Sequence, residues 1–179
     1  MDTEEWRDVS GFDMYAVSNF GFIKNKETGR ILKMSIRSKG YASVSLMREG
    51  VAHKLAVHRV VAFAFVPGHD AVHSWTDHID GNKLNNRVEN LRWCSPTENA
   101  RNRRIMKNNT SGVTGVYFNK PTGKWMAYIR AQGKMQYLGI YETKEEAEFV
   151  RAQAVATEFG EFAPTNNILR GGTVSISWD

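Results

Sequence analysis

The sequence predicts an α+β chain of three small parts: an antiparallel N-terminal β-module, a central ββα unit, and a C-terminal three-stranded sheet backed by a helix. Three observations predict it. Period-two alternation recurs in short segments broken by turn signals. Two capping-box sequences, Ser95-Pro96-Thr97-Glu98 and Thr143-Lys144-Glu145-Glu146, open helices. Linker chemistry at Asn108-Asn109-Thr110-Ser111-Gly112 separates the last sheet from what precedes it. A length of 179 residues allows one ordinary domain or two to three very small ones.

Taken in order, Met14 to Val17 and Phe22 to Lys24 flank the turn Ser18-Asn19-Phe20-Gly21, and a second turn, Asn25 to Gly29, leads into Arg30 to Lys33. Tyr41, Ser43 and Ser45 alternate with Ala42, Val44 and Leu46, a further strand. Lys24, Lys26, Arg30, Lys33, Arg37, Lys39 and Arg48 sit in or beside these hairpins. Val57 to Val66 is continuously apolar apart from His58 and Arg59, and fits a buried strand or a short helix. Pro67-Gly68 ends it. A hairpin-like stretch from Thr76 to Trp93 precedes a helix from Ser95 to about Arg104. Val116–Asn119, Lys124–Ala131 and Lys134–Tyr141 read as strands, and the helix opened at Thr143 reaches about Phe159 and stops at Gly160. The domains expected are 1–52, 53–107 and 108–167, with a tail at 168–179 in which Val174 to Trp178 could form a short strand.

Composition removes several classes. A single cysteine, Cys94, excludes an internal disulfide framework and a cysteine-rich zinc site. The longest apolar run, Val60 to Val66, is far short of the ~20 residues that cross a bilayer. The N-terminus lacks the basic start and apolar stretch of a signal peptide, so a cytoplasmic, reducing setting is expected, with no membrane and no obligate protein partner. Net charge is +5, but residues 101–134 hold eight Lys or Arg and no Asp or Glu, leaving −3 on the rest. That asymmetry points to a localised polyanion contact.

The chemistry concentrates in Thr76-Asp77-His78-Ile79-Asp80-Gly81-Asn82-Lys83, then Asn85-Asn86, Asn90-Leu91-Arg92-Trp93 and Asn99. Adjacent Asp77 and His78 in a strand point to opposite faces unless a bulge re-aims one. A helix from Ser95 brings Asn99 back over the hairpin. One carboxylate and one amide oxygen are hard ligands suited to Mg²⁺ or Mn²⁺, and a neutral imidazole beside them could deprotonate water. Asp80, Gly81 and Asn82 read as turn formers, Asn85 and Asn86 as loop-locking residues, and His58 as a core or interface histidine. His53, His69 and His73 carry no partner pattern.

This segment resembles the HNH, or ββα-metal, nuclease motif in its Asp-His…Asn variant. Residues 3–105 resemble phage HNH homing endonucleases, including a NUMOD4-like module carrying Trp6, Gly11-Phe12, Tyr15-Ala16-Val17-Ser18-Asn19 and Gly21. The resemblance implies a site-specific DNA endonuclease in which Asp77 and Asn99 hold one divalent metal ion. It makes His78 the general base and gives Asn90 the task of fixing the loop. Thr76 departs from the aliphatic residue usual in relatives. One such centre per chain implies nicking by a monomer. A non-catalytic DNA-binding regulator using the same modules is the alternative.

Residues 111–167 resemble the AP2 DNA-binding domain through Gly115-Val116, Gly123-Lys124-Trp125, Ala127, Ile129-Arg130, Leu138-Gly139 and Asn166-Asn167. Alternation puts Val116, Phe118, Trp125, Ala127, Ile129 and Leu138 against the helix. It turns Tyr117, Asn119, Tyr128, Arg130, Met135 and Tyr137 outward. An outer face of tyrosines and arginine suits a DNA groove. Lys134 beside it, with Arg101, Arg103, Arg104 and Lys107 after the central helix, is expected to contact double-stranded DNA.

Overall fold

The computed structural model describes residues 3–101 and 109–163, which cluster into two compact units, 1–100 and 101–179. The expected contacts at Arg103, Arg104 and Lys107, the rest of the helix towards 104, and the tail at 168–179 lie outside the described residues.

The first unit opens with a meander, β1 (Trp6–Asp8), β2 (Tyr15–Ser18) and β3 (Ile23–Asn25), antiparallel in that order. Arg30 to Lys33 forms no strand; only Ile31 bridges to Lys24. A second three-stranded sheet follows: β4 (Ser35–Ile36), β5 (Ala42–Arg48) and β6 (Val51–Ala56). The expected boundary at residue 52 thus falls within a strand.

β6 runs without a loop into α1 (Val57–Phe65), which resolves the strand-or-helix ambiguity in favour of helix. Its buried residues Val57, His58, Val60, Val61 and Ala62 follow helical spacing. Val57, Val60 and Val61 meet Val17 and Ile23 of the first sheet, Val44 and Leu46 of the second, and Leu91 beyond, in one core. α1 therefore ties the two N-terminal sheets to the hairpin of β7 (Trp75–His78) and β8 (Leu91–Cys94). α2 (Pro96–Arg101) follows, opened by the expected capping box: Glu98 N–H donates to Ser95 Oγ (3.3 Å) and Ser95 N–H to Glu98 Oε2 (2.7 Å).

The second unit is the antiparallel sheet β9 (Val116–Asn119), β10 (Lys124–Ala131) and β11 (Lys134–Tyr141), order β11-β10-β9, with α3 (Lys144–Phe159). Thr143 and Glu146 make a complete capping box, and Gly160 at φ +50° ends the helix as expected. Val116, Ala127 and Ala147 form its core, with Trp125 and Leu138 packed against them. Phe118 is a correction. It shares the face of Trp125 (ring centroids 5.1 Å apart) but lies at the turn end of β9 and is 49% exposed.

One glycine in the first unit positions the site. Gly21 has φ +90°, and a Cβ there would stand 2.9 Å from the Asn86 carbonyl oxygen. Around it, Val88 N–H donates to Asn19 O (2.8 Å) and the Arg87 guanidinium lies 3.9 Å from the Phe20 ring centroid. The Ser18–Gly21 turn is thereby moulded to the loop joining β7 and β8. Gly21→Ala should cost roughly 2–3 kcal/mol, because strain adds to a backbone clash. Gly29→Ala, at φ +69° with nothing within 4 Å of the added Cβ, should cost only the left-handed conformation, about 1–2 kcal/mol. Equal losses in urea unfolding would refute the close approach.

Candidate active site

The β7–β8 ladder pairs Trp75 with Cys94, Thr76 with Trp93, Asp77 with Arg92 and His78 with Leu91. No bulge interrupts it, so Asp77 and His78 turn to opposite faces. Cross-strand pairing sets Arg92 beside Asp77: Nε and Nη2 both donate to Oδ2, at 3.1 and 2.8 Å. The two side chains are only 7% and 12% exposed, so the guanidinium and the carboxylate compensate each other's buried charge. Among the described residues β7 pairs only with β8, which leaves its other edge open.

His78, on the other face, lies 3.2 Å through Nε2 from Asn86 Oδ1. Asn86 Nδ2 donates to Leu84 O (3.1 Å), which fixes the orientation of the amide. An amide oxygen only accepts, so Nε2 carries the proton and Nδ1 is the basic nitrogen. Burial pushes the His78 pKa below its ordinary value, against opposing pulls from the Asn86 bond and from Asp77 and Asp80. The ring is therefore held neutral.

The loop between the strands is locked by amides. Asn90 Oδ1 accepts from Asp80 N–H (3.0 Å), while its Nδ2 donates to Asp80 Oδ1 (2.9 Å) and Asn85 O (2.8 Å). Asp80 also accepts from Asn82 N–H and Asn85 Nδ2, at 2.7 and 2.8 Å. Burial raises the Asp80 pKa, but the bonds from Asn85, Asn82 and Asn90 prevail and hold it low.

Asn99 lies on α2, half-buried, and lines a cleft with Thr76 and His58. Arg101 is the last residue of α2. In the second unit the rings of Tyr117, Tyr128 and Tyr137 form a ladder across the three strands, with centroids 6.0 and 5.2 Å apart. Arg130 is exposed, paired with Met135, and Asn119 donates to Met126 Sδ (3.6 Å). Lys134 pairs with Ala131, on the alternate register, at the exposed hairpin end.

Three contacts of the site were not read from sequence: Arg92, given no role, binds Asp77; Asn86, expected to lock the loop, is the partner of His78; and His58, expected as a core or interface histidine, meets the His78 ring edge-on at 5.1 Å. Strand register alone could have found Arg92. His58 is buried, with the Tyr41 ring 5.0 Å from it and 6.0 Å from His78, and its Nδ1 has no hydrogen-bond partner.

Residues 4–47 match the NUMOD4 motif family and residues 55–101 the HNH endonuclease family. HNH endonuclease L247 of Acanthamoeba polyphaga mimivirus is 39% identical over 129 residues, covering 68% of this chain and 32% of that protein. DNA endonuclease I-HmuI of Bacillus phage SP01 is 38% identical over 99 residues, 55% of this chain and 56% of that one. A solved structure of I-HmuI binding and cleaving DNA superposes with a TM-score of 0.52 at 38% identity, over 55% of this chain and 56% of that chain. The chain thus spans well under two thirds of each of these relatives. It carries a NUMOD4 motif and an HNH endonuclease domain and is homologous to the phage homing endonuclease.

Burial first, then the charges of His78 and Arg59, lower the His58 pKa from 6.5 to about 4. The unfolded chain binds that proton more readily, so the stability due to neutral His58 is complete above pH 6.5 and lost as pH falls towards 4, by about 3 kcal/mol. His58→Gln should flatten the fall in urea-unfolding free energy between these limits. Parallel pH curves for variant and parent would contradict the assignment.

Proposed function

We propose that this chain is a site-specific DNA endonuclease of the homing type, hydrolysing a phosphodiester with one divalent metal ion, Mg²⁺ or Mn²⁺, and His78 as general base. The observation that carries the reading is the fixed imidazole: Asn86 Oδ1 accepts from Nε2–H, which makes Nδ1 the ring nitrogen with the chemistry to take a proton from water. Asn90 holds the loop that carries Asn86. Asp77 and His78 turn to the two faces of β7, whose other edge pairs with no strand among the described residues.

The donor chemistry fits a hard cation. Asp77 offers a carboxylate oxygen and Asn99 an amide oxygen. Among the described residues no group of three or more His, Cys, Asp or Glu gathers at one point. Two protein oxygens with the rest left to water and phosphate is the arrangement Mg²⁺ accepts. When bound, the ion would neutralise charge developing on the phosphate and on the leaving 3′ oxygen. Arg92 holds the Asp77 carboxylate in place, and His58 and Tyr41 pack on the His78 ring. With one such centre per chain, a monomer nicks one strand.

The test is nicking of supercoiled plasmid. The parent protein should nick with Mg²⁺ or Mn²⁺ and stop in EDTA, and Asp77→Ala and Asn99→Ala should lose the metal-dependent cut. His78→Ala should lower the rate about 10²–10⁴-fold with DNA affinity nearly unchanged, because a base acts in the transition state. Cleavage in EDTA, or parental turnover by His78→Ala, would overturn the mechanism.

The second unit is proposed as an AP2-like DNA-binding domain whose tyrosine ladder and Arg130 face a groove. Arg130→Ala should then cost roughly 1–3 kcal/mol on the preferred site and less on random duplex, measured by binding without metal. Equal losses on both would make Arg130 a phosphate contact.

A further inference from the structure

A cleft of about 440 Å³ opens in the first unit beside β7, between the β4–β5 turn and α1. Its size falls within the roughly 300–1,000 Å³ of ligand clefts. Arg37 and Lys39 reach it from the turn and Arg59 from α1. Among the described residues none of these three pairs with a carboxylate; Arg59 donates only to Ser74 O, at 3.3 Å, and lies against Phe63. Arg7, Lys26, Arg87, Arg92, Lys124 and Lys144 all have carboxylate partners. Three uncompensated cations around one concavity repel one another and raise the local concentration of anions.

The cleft wall carries a second signal. His58 Nδ1 and Thr76 Oγ1 are buried without a hydrogen-bond partner, and both residues line this cleft. Unpaired buried polar atoms cost about 1–3 kcal/mol each, a cost removed when a ligand or its water completes them. Asn99 stands at the same cleft, whereas Asp77 and His78 do not line it. The cleft therefore adjoins the proposed reacting centre and shares Asn99 with it.

We infer that this cleft holds a non-scissile phosphodiester of the cleaved DNA strand, gripped by Arg37, Lys39 and Arg59. The inference rests on the nuclease reading and deepens it: the second phosphate sets how the strand lies along β7, and so which bond meets His78. Arg37 and Lys39 are exposed turn residues, so the pair Arg37→Ala/Lys39→Ala leaves the core intact.

The test uses a short duplex spanning the nick mapped on plasmid, bound without metal across a salt series. The double variant should lower the salt slope by up to about 1, since one neutralised phosphate contributes about 0.9. Neutral methylphosphonate is then placed at each phosphate flanking the nick in turn. One flanking position should weaken binding by the parent roughly tenfold or more, and the same substitution should add little in the double variant and in Arg59→Ala. An unchanged salt slope, or additive losses at every flanking position, would overturn the clamp while leaving the nuclease reading intact. A parent protein that nicks no plasmid with Mg²⁺ or Mn²⁺ would overturn that reading and the inference with it. Arg59→Lys, which keeps the charge, should retain most of the parental slope.

Discussion

The Asn90 amide is the constraint on which the site depends. The loop 79–90 is polar, and apolar packing holds it only at Val88, beside the buried Leu91 that begins β8. Its path is set by one side chain that binds Asp80 twice and Asn85 once, with Ile79 N–H donating to the Asn90 carbonyl (2.9 Å). Buried amides satisfied at both ends specify one conformation, because any other leaves polar groups unpaired in low dielectric. Asn86 inherits its place from that loop, and His78 inherits its tautomer from Asn86.

The same loop explains why the N-terminal sheets and the hairpin share a core. Gly21 presses against Asn86 from outside, and Asn19 takes the Val88 amide, so the first meander forms one wall of the loop. α1 forms the other, placing His58 against His78 while Val57, Val60 and Val61 fill the core. Separating the meander from the hairpin would expose both the apolar cluster and the loop. Residues 1–100 act as one unit for this reason.

Much of this was legible in the sequence. Capping boxes marked α2 and α3, alternation marked β5 and the three C-terminal strands, and the Asp77–Asn99 segment was the candidate site from the outset. What stayed hidden depends on pairing across distance. Arg92 matters because register sets it opposite Asp77, and Asn86 because the loop folds back eight residues to His78. His58 read as a core histidine and is one by burial, yet its neighbour is the proposed base. Phe118 kept its expected face but lost its cover, since alternation gives a direction and says nothing of how far a helix extends.

The central claim is that Asn86 fixes the His78 ring with its proton on Nε2, leaving Nδ1 basic. The most direct measurement is the ¹⁵N chemical shifts of the His78 ring in the metal-free protein at neutral pH. The account predicts a protonated, pyrrole-type Nε2 and an unprotonated, pyridine-type Nδ1, with the two tautomers mixing in Asn86→Ala. A protonated Nδ1 in the parent protein, or a charged ring at neutral pH, would contradict it.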